Sequence, residues 1–182
     1  MNRKILITAV CGLLLFLASN VRAQVTFLDE GEKVDRYPIV TWLKGAPIEH
    51  FDKDKIYVLE LWATWCKPCI AAMPHLSALQ AKFKGQIVFI GQNVMDDDIE
   101  KVKSFIAKNE KIMSNHLAYG GMQDSDFSKN WMKPSATFAI PRTFIIQNNT
   151  LVWMTEPTAL NERVLQLLVD KKFSIEAAKK LK

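Results

Sequence analysis

Leu59-Glu60-Leu61-Trp62-Ala63-Thr64-Trp65-Cys66-Lys67-Pro68-Cys69 is the stretch on which the fold of this chain turns. It begins inside a run, Ile56 to Trp62, that is apolar on both alternations except at Glu60. That is the pattern of a central strand covered on both faces. The stretch ends where Pro68 to Phe83 reads as a helix, with Ile70, Met73, Leu76, Leu79 and Phe83 recurring on one side. Pro74 falls inside it and is expected to kink it. Two cysteines therefore lie where a buried strand turns into a helix N-terminus.

That location has chemical consequences. The partial positive charge at a helix N-terminus favours the thiolate of Cys66 over its thiol. A lowered pKa makes this sulfur both the attacking group and a good leaving group. Cys69, one turn further on, is placed to resolve a mixed disulfide. Lys67 stands between them, either adding positive charge or as a solvated side chain. Pro68 needs no N–H partner in the first helical turn and stiffens the loop. A bridge between the two cysteines closes too small a ring to restrain the unfolded chain much. The spacing thus points to chemistry rather than to a structural staple.

Glu60 precedes Cys66 by six positions. An unpaired carboxylate in a buried strand is costly, so its pKa should rise and leave it partly protonated near neutrality. Such a group can take the proton from Cys69 as that sulfur attacks and return it in the reverse direction. The alternative is a solvated face with Glu60 pointing outward. A zinc site would need two ligands beyond the cysteine pair, and outside residues 1–23 only His50, His75 and His116 join the cysteines. No metal is expected. His116 is the histidine to watch, and a core or surface role is the expectation for all three.

Outward from this centre, Ile87 to Val94 reads as a second buried strand. Asp96, Asp97 and Asp98 precede a helix carrying Ile99, Val102, Phe105 and Ile106. Carboxylates at a helix start are stabilising there, which accounts for the triplet without a cation. His116 to Tyr119 is expected as a short strand and Asp124 to Met132 as a short helix. Pro141 stands before a strand, Thr143 to Gln147. Asn148-Asn149 is a two-residue turn into Leu151 to Met154, giving an antiparallel hairpin. A helix from Ala159 to Val169 and a lysine-rich helical tail follow. Upstream, residues 24 to 54 are polar and turn-rich, with Trp42-Leu43 extended and Gly45-Ala46-Pro47 a turn. The sum is an α/β fold around one mixed sheet, with helices flanking it.

Residues 1–23 read as a secretory signal, and 24–182 as a single domain. Asn2-Arg3-Lys4 start it, Ile5 to Ala18 form a short apolar run, and Val21-Arg22-Ala23 supply the small residues of a cleavage site. The apolar run falls short of the ~20 residues of a spanning helix, which makes an uncleaved membrane anchor the lesser alternative, and no stable membrane insertion is expected after cleavage. Cys11 lies within it. Cleavage removes three of the 24 basic residues and no acids, leaving 21 against 19 acidic and a net charge of +2 in place of +5. No basic run mixed with aromatics remains, which excludes nucleic acid as a partner. The expected location is periplasmic or secreted.

The segment from Leu59 to Cys69 resembles the active site of the thioredoxin superfamily, most closely the exported TlpA/ResA-like (redoxin-type) thiol–disulfide oxidoreductases. Glu60 matches the buried acid of that family and Pro74 its helix-kinking proline. Ile140-Pro141-Arg142-Thr143-Phe144 resembles the family's cis-proline loop. The resemblance implies a thioredoxin-like fold with a TlpA-type insertion between the Ile87–Val94 strand and that loop. It implies Cys66, Cys69 and Glu60 as catalytic groups and Trp65, Lys67, Pro68, Ile140 and Pro141 as the substrate-facing surface. An extended substrate segment would pair with the Ile140 backbone. No cofactor is implied. The partners implied are proteins carrying disulfides or thiols and a membrane electron donor. Two features depart from the pattern: Thr137-Phe138-Ala139 lacks a common glycine, and Ala72 stands where some ResA-like chains carry glutamate. A reductase is the direction the family favours. An oxidase or isomerase using the same site, or a non-catalytic metal-delivery module, are the rival readings.

Overall fold

Residues 27–181 are described by a computed structural model of the chain, so the segment read as a signal lies outside the described residues. Six strands form one mixed sheet: β1 (Thr41–Lys44), β2 (Ile56–Trp62), β3 (Ile87–Asn93), β4 (His116–Tyr119), β5 (Arg142–Gln147) and β6 (Thr150–Thr155). Their order across the sheet is β1-β4-β3-β2-β5-β6. β2, β3 and β4 run parallel, while β5 is antiparallel to β2 and β6 to β5. Helices α1 (Lys67–Lys82), α2 (Ile99–Asn109), α3 (Glu162–Val169) and α4 (Ile175–Lys179) accompany the sheet, together with short helical turns at Glu110–Ile112, Ser128–Met132 and Pro157–Ala159.

β2 is central because every residue in it is buried, which only a strand covered on both faces tolerates. Its alternation sorts the core. Tyr57, Leu59 and Leu61 face one side, where Phe127, Trp131, Phe144 and the upstream Leu28, Tyr37 and Phe51 pack. Ile56 and Val58 face the other, against Leu76 and Leu79 of α1, its C-cap Phe83, and Val164, Leu165 and Leu168 of α3. At the C-terminal end of β2, Trp62 joins Cys66, Cys69, Met73 and Val102 in a third cluster. Period two therefore sets Glu60 on the α1 side of the sheet, between Val58 and Trp62.

The local elements follow their chemistry. Asn148 and Asn149 both take φ of 53°, the left-handed values a two-residue type I′ turn requires and asparagine tolerates. The helix expected from Ala159 begins instead at Glu162. Pro157–Ala159 form a separate 3₁₀ turn, and the Asn161 side chain caps α3 by accepting from the Val164 N–H at 3.0 Å. The helix expected over Asp124–Met132 is reduced to a π-helical turn, Ser128–Met132, which buries Ser128, Trp131 and Met132. α1 runs from Lys67 through Pro74 to Lys82, one residue earlier at each end than its apolar spacing suggested.

Candidate active site

The chain leaves β2 at Trp62 and enters α1 at Lys67, with Cys66 as the helix N-cap. Its backbone is extended (φ −78°, ψ 91°), and its Sγ accepts from the Cys69 N–H at 3.3 Å. A sulfur in that role stands at the positive end of the helix. The first turn carries no acidic side chain to offset that charge. Cys66 and Cys69 form a disulfide, with Cα atoms 5.3 Å apart. Both are buried, Cys66 at 3% exposure and Cys69 at 1%. Position rather than exposure therefore distinguishes them: Cys66 caps the helix and Cys69 sits within it. Trp65, Lys67 and Pro68 are exposed around the pair.

Glu60 faces inward, not to solvent, with 6% exposure. Burial pushes its carboxyl up to about 8 from an ordinary 4.5, opposed by a hydrogen bond that Thr143 Oγ1 donates to Oε2. Thr143 is opposite Glu60 in the β2–β5 register. A cavity of about 20 Å³ lies beside the carboxyl, and its lining includes Glu60, Trp62, Cys69, Gly91, Ser114 and Leu117. That volume has room for about one water molecule. Glu60 Oε1 and Trp62 Nε1 have no hydrogen-bond partner within the described protein. Gly91, the residue of β3 paired with Glu60, keeps the space open. A Cβ there would lie 2.8 Å from Leu117 Cδ2 and 3.2 Å from Trp62 Nε1.

The Ile140–Pro141 peptide bond is cis, as the resemblance implied. Arg142, the next residue, opens β5 opposite Leu61, so this loop reaches the sheet at the end from which the cysteine loop departs. Ile140 is half-buried and packs against the cluster containing Cys66 and Cys69. Phe138, two residues earlier, is 76% exposed.

The acidic triplet does not act as one unit. Asp98 caps α2 as expected, accepting from the Glu100 and Lys101 N–H groups at 2.9 and 3.1 Å. Asp96 is buried and turns back to Thr64 and Asn93. From the sequence, Asp96 is read only as part of a helix start and Thr64, Thr143 and Gly91 carry no role, because each acts on a segment far away along the chain. The histidines are elsewhere engaged. His75 Nε2 lies 2.8 Å from the Leu160 carbonyl, His116 Nδ1 lies 3.2 Å from that of Ala46, and the His50 backbone bridges to Arg36. Among the described residues no three of His, Cys, Asp and Glu gather as a metal site.

The Redoxin family pattern matches residues 46–164. FixW of Rhizobium leguminosarum is 25% identical over 150 residues, covering 79% of this chain and 67% of that protein. The thiol–disulfide oxidoreductase ResA of Bacillus thuringiensis subsp. konkukian is 28% identical over 149 residues, covering 81% of each. In three dimensions, the thioredoxin domain of a thiol–disulfide oxidoreductase from Bacteroides vulgatus shares the fold. Its TM-score is 0.62 at 17% identity, over 78% of this chain and 99% of that one. With a thioredoxin fold and a CxxC pair at the start of α1, the chain belongs to the Redoxin family, among its TlpA/ResA-like thiol–disulfide oxidoreductases.

Proposed function

We propose that this protein reduces disulfides in protein substrates outside the cytoplasmic membrane, after export directed by residues 1–23. The Cys66 thiolate attacks one sulfur of a substrate disulfide, breaking that bond and releasing the other sulfur as a thiolate. Cys69 then gives its proton to the Glu60 carboxylate and attacks Cys66, freeing the substrate's second thiolate and closing the Cys66–Cys69 disulfide. Two electrons pass to the substrate, and a membrane electron donor supplies two more to reduce the Cys66–Cys69 disulfide again. Trp65, Lys67, Pro68, Ile140 and Pro141 form the substrate surface, with an extended segment pairing to the Ile140 backbone.

The observation that carries this reading is the arrangement of three groups. Cys66 caps α1, Cys69 lies behind it, and the raised Glu60 carboxyl lines the same cavity as Cys69. The test uses reduced Cys69→Ala protein and a disulfide-linked peptide, followed by mass spectrometry. A stable 1:1 adduct through Cys66 is expected, and no adduct overturns the order of attack. Titration against a glutathione or dithiothreitol couple gives the direction. A potential near the roughly −270 mV of thioredoxin supports a reductase, whereas one near −120 mV makes the protein an oxidant.

A further inference from the structure

The turn after β3 grips the loop that carries Cys66. Asp96 is 5% exposed. One oxygen, Oδ2, accepts from the Thr64 backbone N–H at 2.7 Å and from Asn93 Nδ2 at 2.8 Å. The other, Oδ1, accepts from Thr64 Oγ1 at 2.8 Å. Next to it, the Met95 carbonyl accepts from Trp65 Nε1 at 3.0 Å. Met95 takes φ of 58°, a left-handed value uncommon for a residue with a flexible apolar side chain. The Asp96 carbonyl in turn accepts from the Tyr119 hydroxyl at 3.2 Å, tying the turn to β4. Below the turn, the Val94 N–H donates to the Trp62 carbonyl at 2.9 Å. The two residues immediately before Cys66 are thus held from one neighbouring turn, by both a side chain and a backbone carbonyl.

We infer that Asp96 is a positioning residue for the redox pair: by fixing Thr64 and Trp65, it holds the loop so that Cys66 stays at the α1 N-cap within reach of Cys69. A carboxylate suits this task because its two oxygens accept several hydrogen bonds at once. A loop left free lowers the effective concentration of one thiol at the other, as for any tethered pair. The disulfide then becomes easier to reduce and the potential moves in the oxidising direction. Because Asp96 acts through Thr64, the inference rests on the cysteine pair being redox-active but not on the direction of electron flow.

The experiment compares the wild-type protein with Asp96→Ala, Asp96→Asn and Thr64→Val, each checked for folding by circular dichroism. The readouts are the reduction potential and the rate of Cys66 alkylation by iodoacetamide in the reduced protein. Asparagine keeps the geometry: its carbonyl oxygen can accept from Thr64 N–H and Asn93, and its NH₂ can donate to Thr64 Oγ1. Asp96→Ala should lower the equilibrium constant for disulfide formation at least tenfold, equal to about 30 mV for a two-electron couple. Asp96→Asn should stay within threefold of wild type. Thr64→Val should shift the same way as Asp96→Ala by a smaller amount, and it reads the clamp even where the alanine variant does not fold. Unchanged potential and alkylation in a folded Asp96→Ala protein overturn the inference, as does a loss in Asp96→Asn equal to that in Asp96→Ala. A wild-type pair that cannot be cycled between thiol and disulfide would instead sink the proposed function.

Discussion

Replacing Glu60 with glutamine removes an ionisable proton while leaving the shape and the hydrogen bond from Thr143 nearly intact. In the oxidised protein the carboxyl stands at about 8, against 4.5 for an ordinary glutamate. Below pH 4.5 the folded and unfolded chains are both protonated at this site, and its contribution is fully present. Between 4.5 and 8 the unfolded chain releases the proton while the folded chain holds it. Stability is therefore lost at up to 1.36 kcal/mol per pH unit, and the loss is complete once the folded group ionises. The span from 4.5 to about 8 amounts to about 5 kcal/mol, of which about 3 kcal/mol is already lost at pH 7. Glu60→Gln has no such loss. The assay is urea unfolding of both oxidised proteins from pH 4 to pH 9, followed by tryptophan fluorescence. The variant should gain on wild type steadily from pH 5 to pH 8 and level off above that. A stability difference flat across this range would refute the argument that burial holds Glu60 protonated. In single-turnover resolution of a mixed disulfide, the wild-type rate should rise with pH through a midpoint above the ordinary carboxylate range, because burial raises Glu60. Glu60→Gln should resolve about a hundredfold more slowly below that midpoint, keeping only the rise that comes from ionisation of the Cys69 thiol itself.

Two neighbouring substitutions probe the same region from other sides. Thr143→Val removes the one hydrogen bond that lowers the Glu60 carboxyl, so the group should titrate at a still higher pH, followed by carbon NMR of labelled glutamate. A midpoint that stays put or falls argues against that bond. Gly91→Val places a Cβ 2.8 Å from Leu117 Cδ2 and intrudes on the cavity beside Glu60 and Cys69. Overpacking of this kind should cost about 1–3 kcal/mol in urea unfolding. If the cavity carries the proton between the two groups, resolution of the mixed disulfide by Cys69 should slow as well. A destabilised variant that resolves at the wild-type rate would separate the cavity from the chemistry.

The pattern along the chain was enough for the redox pair and the framework around it. A run apolar on both alternations has to lie between two layers, which made β2 central and Glu60 the one residue in it needing an account. Asn148-Asn149 announced a hairpin because few residues accept two successive left-handed conformations, and both adopt them. The CxxC spacing placed Cys66 at a helix start from the sequence alone, since N-cap chemistry is set by neighbours a few residues away. The start of α3 was read too early because Ala159 and Leu160 continue the apolar pattern. Only the Asn161 cap and the Pro157–Ala159 turn mark the boundary.

The sequence favoured a buried Glu60 over a solvated one, and the structure agrees, but a strand's alternation does not say what packs on that side. The same limit hid the split in the acidic triplet. Asp98 caps the helix it precedes, a local relation, whereas Asp96 reaches Thr64 in a loop 32 residues earlier. Thr143 meets Glu60 through an 83-residue separation that strand register alone decides, and Gly91 opens its cavity by the same kind of pairing. Residue order alone was enough to place the CxxC pair at a helix start, because helix capping and hydrophobic alternation act within a few residues. What surrounds the pair came from packing: a carboxyl raised by burial, a cavity lined by it and by Cys69, and an aspartate hydrogen-bonded to the loop before Cys66. Those depend on distant segments packing together, where the cost of burying charge is set.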